Sequence, residues 1–366
     1  MHLTRIAVAL LVGVGLGTGI GCSSGTLTGD TGSGGSSSGG TTSTGGTTAA
    51  GGTTSTGGTP ASGGTVGTGG EPLLTGGRAG GGAGGRGGAA GGAAGTSAST
   101  GGAGGTVQTL APMPSPGCSK GTARPSGGQV QVSNTSLYMF PTSYDGKKPY
   151  PLLIALHACG NPNTEFVNPT NNTAFATDYV RSFPNTPDSG QCWSNYTADA
   201  ARILAQYDDV VNNYCIDQNR VFAIAHSSGA QMLVQIVSHK SDIQHLNLKA
   251  ISPVAADPYK PAIPMPVLYI DGKMDNQRSA NSAKDTVADF RVANMCADTS
   301  KPYTAVASCK STDSGNPTVD PGCIIYDNCK VPTIWCSHND PSYSGTEHGI
   351  PCFAMKAMVD FFASFP

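Results

Sequence analysis

Before Cys118 the chain contains no aromatic residue; all 24 lie beyond it. Charge is scarce there too. Between Gly25 and Gly105 the charged side chains are Asp30, Glu71, Arg78 and Arg86, among 34 of the chain's 52 glycines and many Thr, Ser and Ala. So little apolar surface cannot offset the entropy of ordering the backbone, which excludes a packed core and predicts a disordered Gly/Thr/Ser-rich tether over residues 22–117. The glycines come mostly in pairs without a strict period of three, which excludes a collagen helix. Basic runs are absent and the net charge is -2, so no nucleic-acid partner is expected. No C-x-x-C pair occurs, and Cys323, Cys329 and Cys336 are too widely spaced for common zinc sites; neither metal nor other cofactor is expected.

What the chain does have begins with an export signal over residues 1–21: Arg5, a mostly apolar run from Ile6 to Leu16, then small residues. The run is too short and glycine-rich for a good spanning helix. "TGIGCSSG" resembles a bacterial lipoprotein box, with Gly19 where Leu is usual, which makes Cys22 the candidate for lipid attachment and plain secretion the alternative. A lipidated Cys22 on a long tether would hold a monomeric catalytic domain away from a membrane while keeping it attached. Setting Cys22 aside, the other ten of the 11 cysteines lie between Cys118 and Cys352, an even number that suits up to five disulfides in an exported domain. Connectivity does not follow from spacing; the pairings put forward are Cys159 with Cys192 and Cys336 with Cys352.

Residues 118–366 are enough for one α/β domain. "GGQVQVSN" and "SLYMFP" read as an antiparallel pair, and Leu152 to Leu156 as a central strand covered on both faces. "DYVRSFPN" is a further strand candidate. Ala201, Leu204, Ala205, Tyr207 and Val211 recur at helical spacing after Thr197, a plausible N-cap. Val221–Ala225, "LKAISPVAA" and "PVLYIDG" read as strands; Gly229–Val237, Ser279–Met295 and Phe353–Phe362 read as helices. Asn161–Thr177 is polar without a helical period and reads as a surface loop. The alternation predicts a mostly parallel central sheet with helices on both faces, stabilised by disulfides.

One turn carries chemistry. In "VFAIAHSSGAQM" a serine sits between an apolar strand and a helix, the setting of a nucleophile elbow, although the first glycine of G-x-S-x-G is replaced by Ala225. Small residues are needed at both flanking positions. Centring on Ser227 leaves Ala225 and Gly229 there, whereas Ser228 would place His226 in the tight position. Ser227 is therefore the nucleophile candidate, and the Ser228 amide an oxyanion donor. A second amide is expected from "HACG", at Ala158 or Cys159, with His157 a structural anchor. An acid and a base should follow in that order. Asp275, out in a loop, is preferred to Asp271 at the strand end, with Asp257 third. His348, just before the last helix, is preferred to His338. In this arrangement Asp275 orients His348, which takes the proton of Ser227.

From about Cys118 to the end the chain resembles the secreted feruloyl esterase, acetyl xylan esterase and polyhydroxybutyrate depolymerase group of α/β-hydrolases. The likeness lies in "YDGKKPYPLLIALHACG", "GQCW", "NRVFAIAHSSGAQM", "PVLYIDGKMD" and "GTEHGIPCFAMKAMVDFF", taken in order. The resemblance implies Ser227, Asp275 and His348 as a triad, Trp193 near the substrate cleft, and an esterified polysaccharide or polyester as substrate. Ala158 and Ala225 depart from it where glycine is usual, as does the loop after Gly160. Hydroxycinnamate release is the expected activity, with Trp193, Tyr196 and Tyr343 as possible ring contacts; acetyl xylan and polyhydroxyalkanoate esters are the alternatives. An inactive carbohydrate-binding surface protein is the reading from outside enzymology.

Overall fold

The computed structural model describes residues 110–365, apart from 134–135, 188–189, 276, 278–281, 313–314 and 343–344. The expected export signal, Cys22 and all of the tether up to residue 109 lie outside the described residues, as does Tyr343.

Ten strands form one sheet among the described residues. In chain order they are β1 (Gln129–Gln131), β2 (Leu137–Met139), β3 (Tyr150–Leu156), β4 (Val180–Phe183), β5 (Ile216–His226), β6 (Leu248–Val254), β7 (Val267–Gly272), β8 (Ser300–Pro302), β11 (Gly322–Tyr326) and β12 (Thr333–His338). β9 (Cys309–Lys310) and β10 (Thr318–Val319) make a separate two-stranded ribbon. The spatial order is β1-β2-β4-β3-β5-β6-β7-β12-β11-β8. Strands β4, β3, β5, β6, β7 and β12 run parallel, while β1 and β2 at one edge and β11 and β8 at the other are antiparallel to their neighbours.

The apolar strand runs have a simple cause: both faces are covered, so successive residues enter different cores. Leu152, Ile154 and Leu156 of β3 pack with Val221, Ala223 and Ala225 of β5. Helices α4 (Tyr196–Asn213), α5 (Ser228–Val237) and α6 (Lys240–Leu246) contribute Ile203, Tyr207, Val210, Leu233, Ile236 and Ile243 to that layer. Leu153, Ala155, Phe222 and Ile224 enter the opposite core, with Phe361 and Phe362 of α8 (Ala354–Ala363). The remaining α-helices among the described residues are the short α1 (Gly117–Lys120), α2 (Thr164–Asn171) and α3 (Ala174–Asp178), and α7 (Ser282–Ala293).

Four expectations are corrected. Asn161–Thr177 is not a loop but carries α2 and α3. Phe166 and Phe175 are their fully buried anchors, and a single aromatic anchor per short helix leaves no period to read. Helix α4 is capped by Asn195, whose side chain accepts from the Ala198 N–H, rather than by Thr197. The folded part also starts earlier than Cys118. Met113 N–H donates to Asp217 Oδ1 at 2.8 Å, and Ser115 Oγ donates to the Tyr214 carbonyl at 2.8 Å. Residues before the first domain cysteine are thus sewn onto β5, so the boundary at 117 moves back to at least 113. Finally, Cys336 pairs with Cys323, not Cys352. The register of β11 on β12 sets Cys323 opposite Cys336, and Cys352 joins Cys309 instead. Cys159–Cys192, Cys118–Cys215 and Cys296–Cys329 complete the set.

Candidate active site

Strand β5 ends at His226 and α5 starts at Ser228, leaving one residue for the turn. Ser227 takes it with φ 51° and ψ -119°, a strained conformation for a side chain with a Cβ and the signature of a serine lifted from a sheet edge. The Ser227 amide donates to the Val254 carbonyl at 2.9 Å, and the Gln231 amide donates to the Ser227 carbonyl at 2.8 Å. Gly229 permits the close packing: a Cβ there would lie 2.4 Å from the carbonyl oxygens of Leu156 and His157. The end of β3 and the start of α5 therefore touch through backbone, and the turn after β3 arrives beside the serine.

Two loops converge on Ser227. His348 Nε2 lies 2.8 Å from Ser227 Oγ, and His348 Nδ1 lies 2.8 Å from Asp275 Oδ2. Both side chains are buried, and the Gln277 amide donates to the other Asp275 oxygen at 3.0 Å. The loops are tied to each other, because the Met274 amide donates to Glu347 Oε2 at 2.7 Å. Strand β7 delivers Asp275, and the segment before α8 delivers His348. The fold is that of an α/β-hydrolase.

The competing residues are placed differently. Asp271 is buried at the end of β7, and Asp257 is exposed on the cleft, where its amide donates to Gln231 Oε1. His338 is buried at the end of β12; desolvation pushes it down to about 4, so it is neutral at pH 7, and its Nδ1 accepts from the Asp340 amide. His157 is fully buried, with Nδ1 2.8 Å from the Ala158 carbonyl, and burial lowers it too. The Ser228 hydroxyl oxygen is buried without a hydrogen-bond partner.

Two implied positions are corrected. The Ala158 N–H donates to Glu165 Oε2 at 2.6 Å, so it is occupied and does not serve as an oxyanion donor; of the two "HACG" amides only that of Cys159 remains. Trp193 does not line the cleft. Its buried indole N–H donates to the His157 carbonyl at 2.9 Å, and its ring lies 5.1 Å from the His157 ring, so it braces the end of β3. Tyr196 is likewise engaged, hydrogen-bonded to Asp242 and stacked on His239.

Glu165 is a further residue beside the site that no motif in the sequence marks. It lies in α2, and its carboxylate receives the Ala158 amide, the Asn161 side-chain amide at 2.8 Å and His226 Nδ1 at 2.7 Å. Burial by itself would raise this carboxyl, but His226 and the amides outweigh it and hold it below the usual carboxylate range. Nothing local in the sequence signals this, because its partners come from three separate segments.

The open cleft beside the serine has a volume of about 250 Å³ and is lined by Ser227, Ser228, Gln231, Ala255, Asp257, Gln277 and His348. Among the described residues no group of three or more His, Cys, Asp or Glu is arranged to hold a metal ion.

No family model matches the chain. The chain is similar to feruloyl esterases. It is 25% identical over 122 residues to feruloyl esterase B of Thermothelomyces thermophilus, a match covering 30% of this chain and 42% of that protein. It is also 25% identical over 111 residues to feruloyl esterase B of Neurospora crassa, covering 27% of this chain and 38% of that protein. The chain thus spans less than half the length of these relatives. Among solved structures, the acetyl xylan esterase from Aspergillus awamori is 12% identical with a TM-score of 0.46, covering 64% of this chain and 98% of that one.

Proposed function

We propose that the chain is an exported serine carboxylesterase that cleaves acyl groups from plant cell-wall polysaccharide through an acyl-enzyme. The observation carrying this reading is the continuous hydrogen-bonded series from Asp275 through His348 to Ser227, at the wall of an open cleft. His348 Nδ1–H donates to Asp275, which fixes the tautomer and leaves the Nε2 lone pair facing Ser227. Attack of Oγ on the ester carbonyl passes its proton to Nε2. The resulting oxyanion is held by the amides of Ser228 and Cys159. Collapse breaks the bond to the leaving alcohol, which takes the proton from Nε2–H. Water then repeats the sequence on the acyl-enzyme, releasing the acid and restoring Ser227. Lipid attachment at Cys22 would hold this monomeric domain at a membrane surface on its tether.

The matched relatives suggest hydroxycinnamate as the acyl group. A second reading, acetyl release from xylan, is favoured by the cleft itself: its described lining is small and polar, with Gln231, Asp257 and Gln277 and no Phe, Tyr or Trp. Purified protein assayed on methyl ferulate, acetylated xylan and a nitrophenyl acetate separates the two. Turnover of none of these by correctly folded protein would refute the esterase reading and favour a non-catalytic carbohydrate-binding role.

A further inference from the structure

Three segments that must meet at the proposed site are joined by a single pair of side chains, Glu165 and His226. His226 precedes Ser227, and its side chain is 2% exposed; that of Glu165 is 12% exposed. His226 Nδ1 lies 2.7 Å from Glu165 Oε1, and His226 Nε2 lies 2.8 Å from the main-chain carbonyl of His348. A carbonyl oxygen only accepts, so Nε2 carries a hydrogen. Glu165 accepts from the Ala158 N–H and the Asn161 amide as well, and this set of donors suits a carboxylate. Nδ1 therefore donates too, and both ring nitrogens of His226 carry hydrogen. The pair is sealed between the elbow, the turn after β3, and the loop that carries the base.

We propose that Glu165 and His226 are a positioning pair for the esterase reaction, and this rests on the reading given above. One end grips the backbone of His348 and so sets the height of its imidazole over Ser227. The other end holds the turn at Ala158 and directs the next amide, that of Cys159, to the oxyanion. Neither side chain exchanges a proton with substrate. Their contribution lies in holding donor, nucleophile and base in one register before the transition state forms, where small displacements are costly. The disulfide from Cys159 to Cys192 restrains the same turn from its outer side. An alanine at 158 is tolerated because the amide there is turned to Glu165, so glycine's extra conformational freedom is not required for oxyanion binding.

The test uses the full chain with Glu165→Gln and His226→Gln. Glu165→Gln is isosteric: its carbonyl still accepts from Ala158 while its NH2 now faces the ring. With a short-chain nitrophenyl ester, kcat should fall about 10- to 100-fold, the equivalent of one charge-assisted hydrogen bond. KM should stay within about threefold, a split that general loosening of the fold would not produce. Near-UV circular dichroism establishes that each variant is folded. Nitrogen-15 spectra of histidine-labelled protein supply a readout independent of turnover: His226, assigned by loss of its signals in His226→Gln, should show two protonated ring nitrogens, and one in Glu165→Gln. Folded variants with kcat within about twofold of the unaltered chain would overturn the proposal. So would a single protonated ring nitrogen in the unaltered, active protein, a result available even where a variant does not fold. If the unaltered chain turned over no ester, the esterase reading would fall, and the positioning role with it.

Discussion

Gly229→Ala is the sharpest probe of the elbow, because its consequence follows from distances alone. The added methyl would sit 2.4 Å from two backbone carbonyl oxygens and 2.7 Å from the Leu156 carbonyl carbon. Carbon atoms do not approach carbonyl oxygen closer than about 3 Å, so the gap must open by roughly 0.6 Å. No flexible side-chain tip is available to yield, since the obstacles are the backbone of Leu156, the last residue of β3, a central strand paired on both sides, and of His157 directly after it. Either α5 tilts or the turn after β3 retreats, and both movements separate the Ser228 and Cys159 amides from a common oxyanion position. Misplacement on this scale costs catalysis up to about 100-fold, and overpacking destabilises by about 1–3 kcal/mol. The melting temperature should fall by about 3–10 °C for a domain of this size. Stopped-flow acylation with a nitrophenyl ester, alongside calorimetric melting, measures both. Wild-type acylation and melting in Gly229→Ala would refute the reasoning, because the two elements could not then be in backbone contact.

Asp275→Asn should lower kcat by about 10³- to 10⁴-fold through loss of the correct His348 tautomer, whereas Asp271→Asn should leave kcat within severalfold; the reverse ranking in steady-state kinetics would move the acid to Asp271. Ser227→Ala should abolish covalent labelling by a phosphonate ester while Ser228→Ala keeps it, and mass spectrometry of the labelled peptide distinguishes them. His338 is buried neutral, with its pKa near 4 instead of the 6.5 of the unfolded chain. Between those values the unfolded state binds more protons, so stability declines as pH falls. From pH 7.5 to pH 5 this residue should cost about 2 kcal/mol, measured as the urea midpoint; an unchanged pH dependence in His338→Gln would show that another group is responsible. Non-reducing peptide mapping should find Cys336 joined to Cys323 and Cys352 joined to Cys309, and a Cys336–Cys352 peptide would contradict the register of β11 on β12.

The sequence by itself determined the parts whose cause is local or periodic. Unbroken apolar runs at Leu152–Leu156, Val221–Ala225 and Val267–Ile270 specify strands covered on both faces. Steric demand in a tight turn already separates Ser227 from Ser228, because only Ser227 has small residues on both sides. Asp275 and His348 were legible for a related reason: each follows or precedes an element whose end is marked by glycine, and chain order restricts which loops can meet. What tertiary structure alone decided are the contacts between segments with no shared period. The occupation of the Ala158 amide needed Glu165, contributed by a helix whose one large anchor, Phe166, leaves no pattern. Trp193 became a brace rather than a cleft wall once the direction of its N–H toward His157 was set. The Cys323–Cys336 pairing depended on the register of β11 against β12, which a strand's own residues do not encode. The Glu165–His226 pair belongs with these, since a hydrogen bond across 61 residues is specified by packing, and packing is a property of the folded whole.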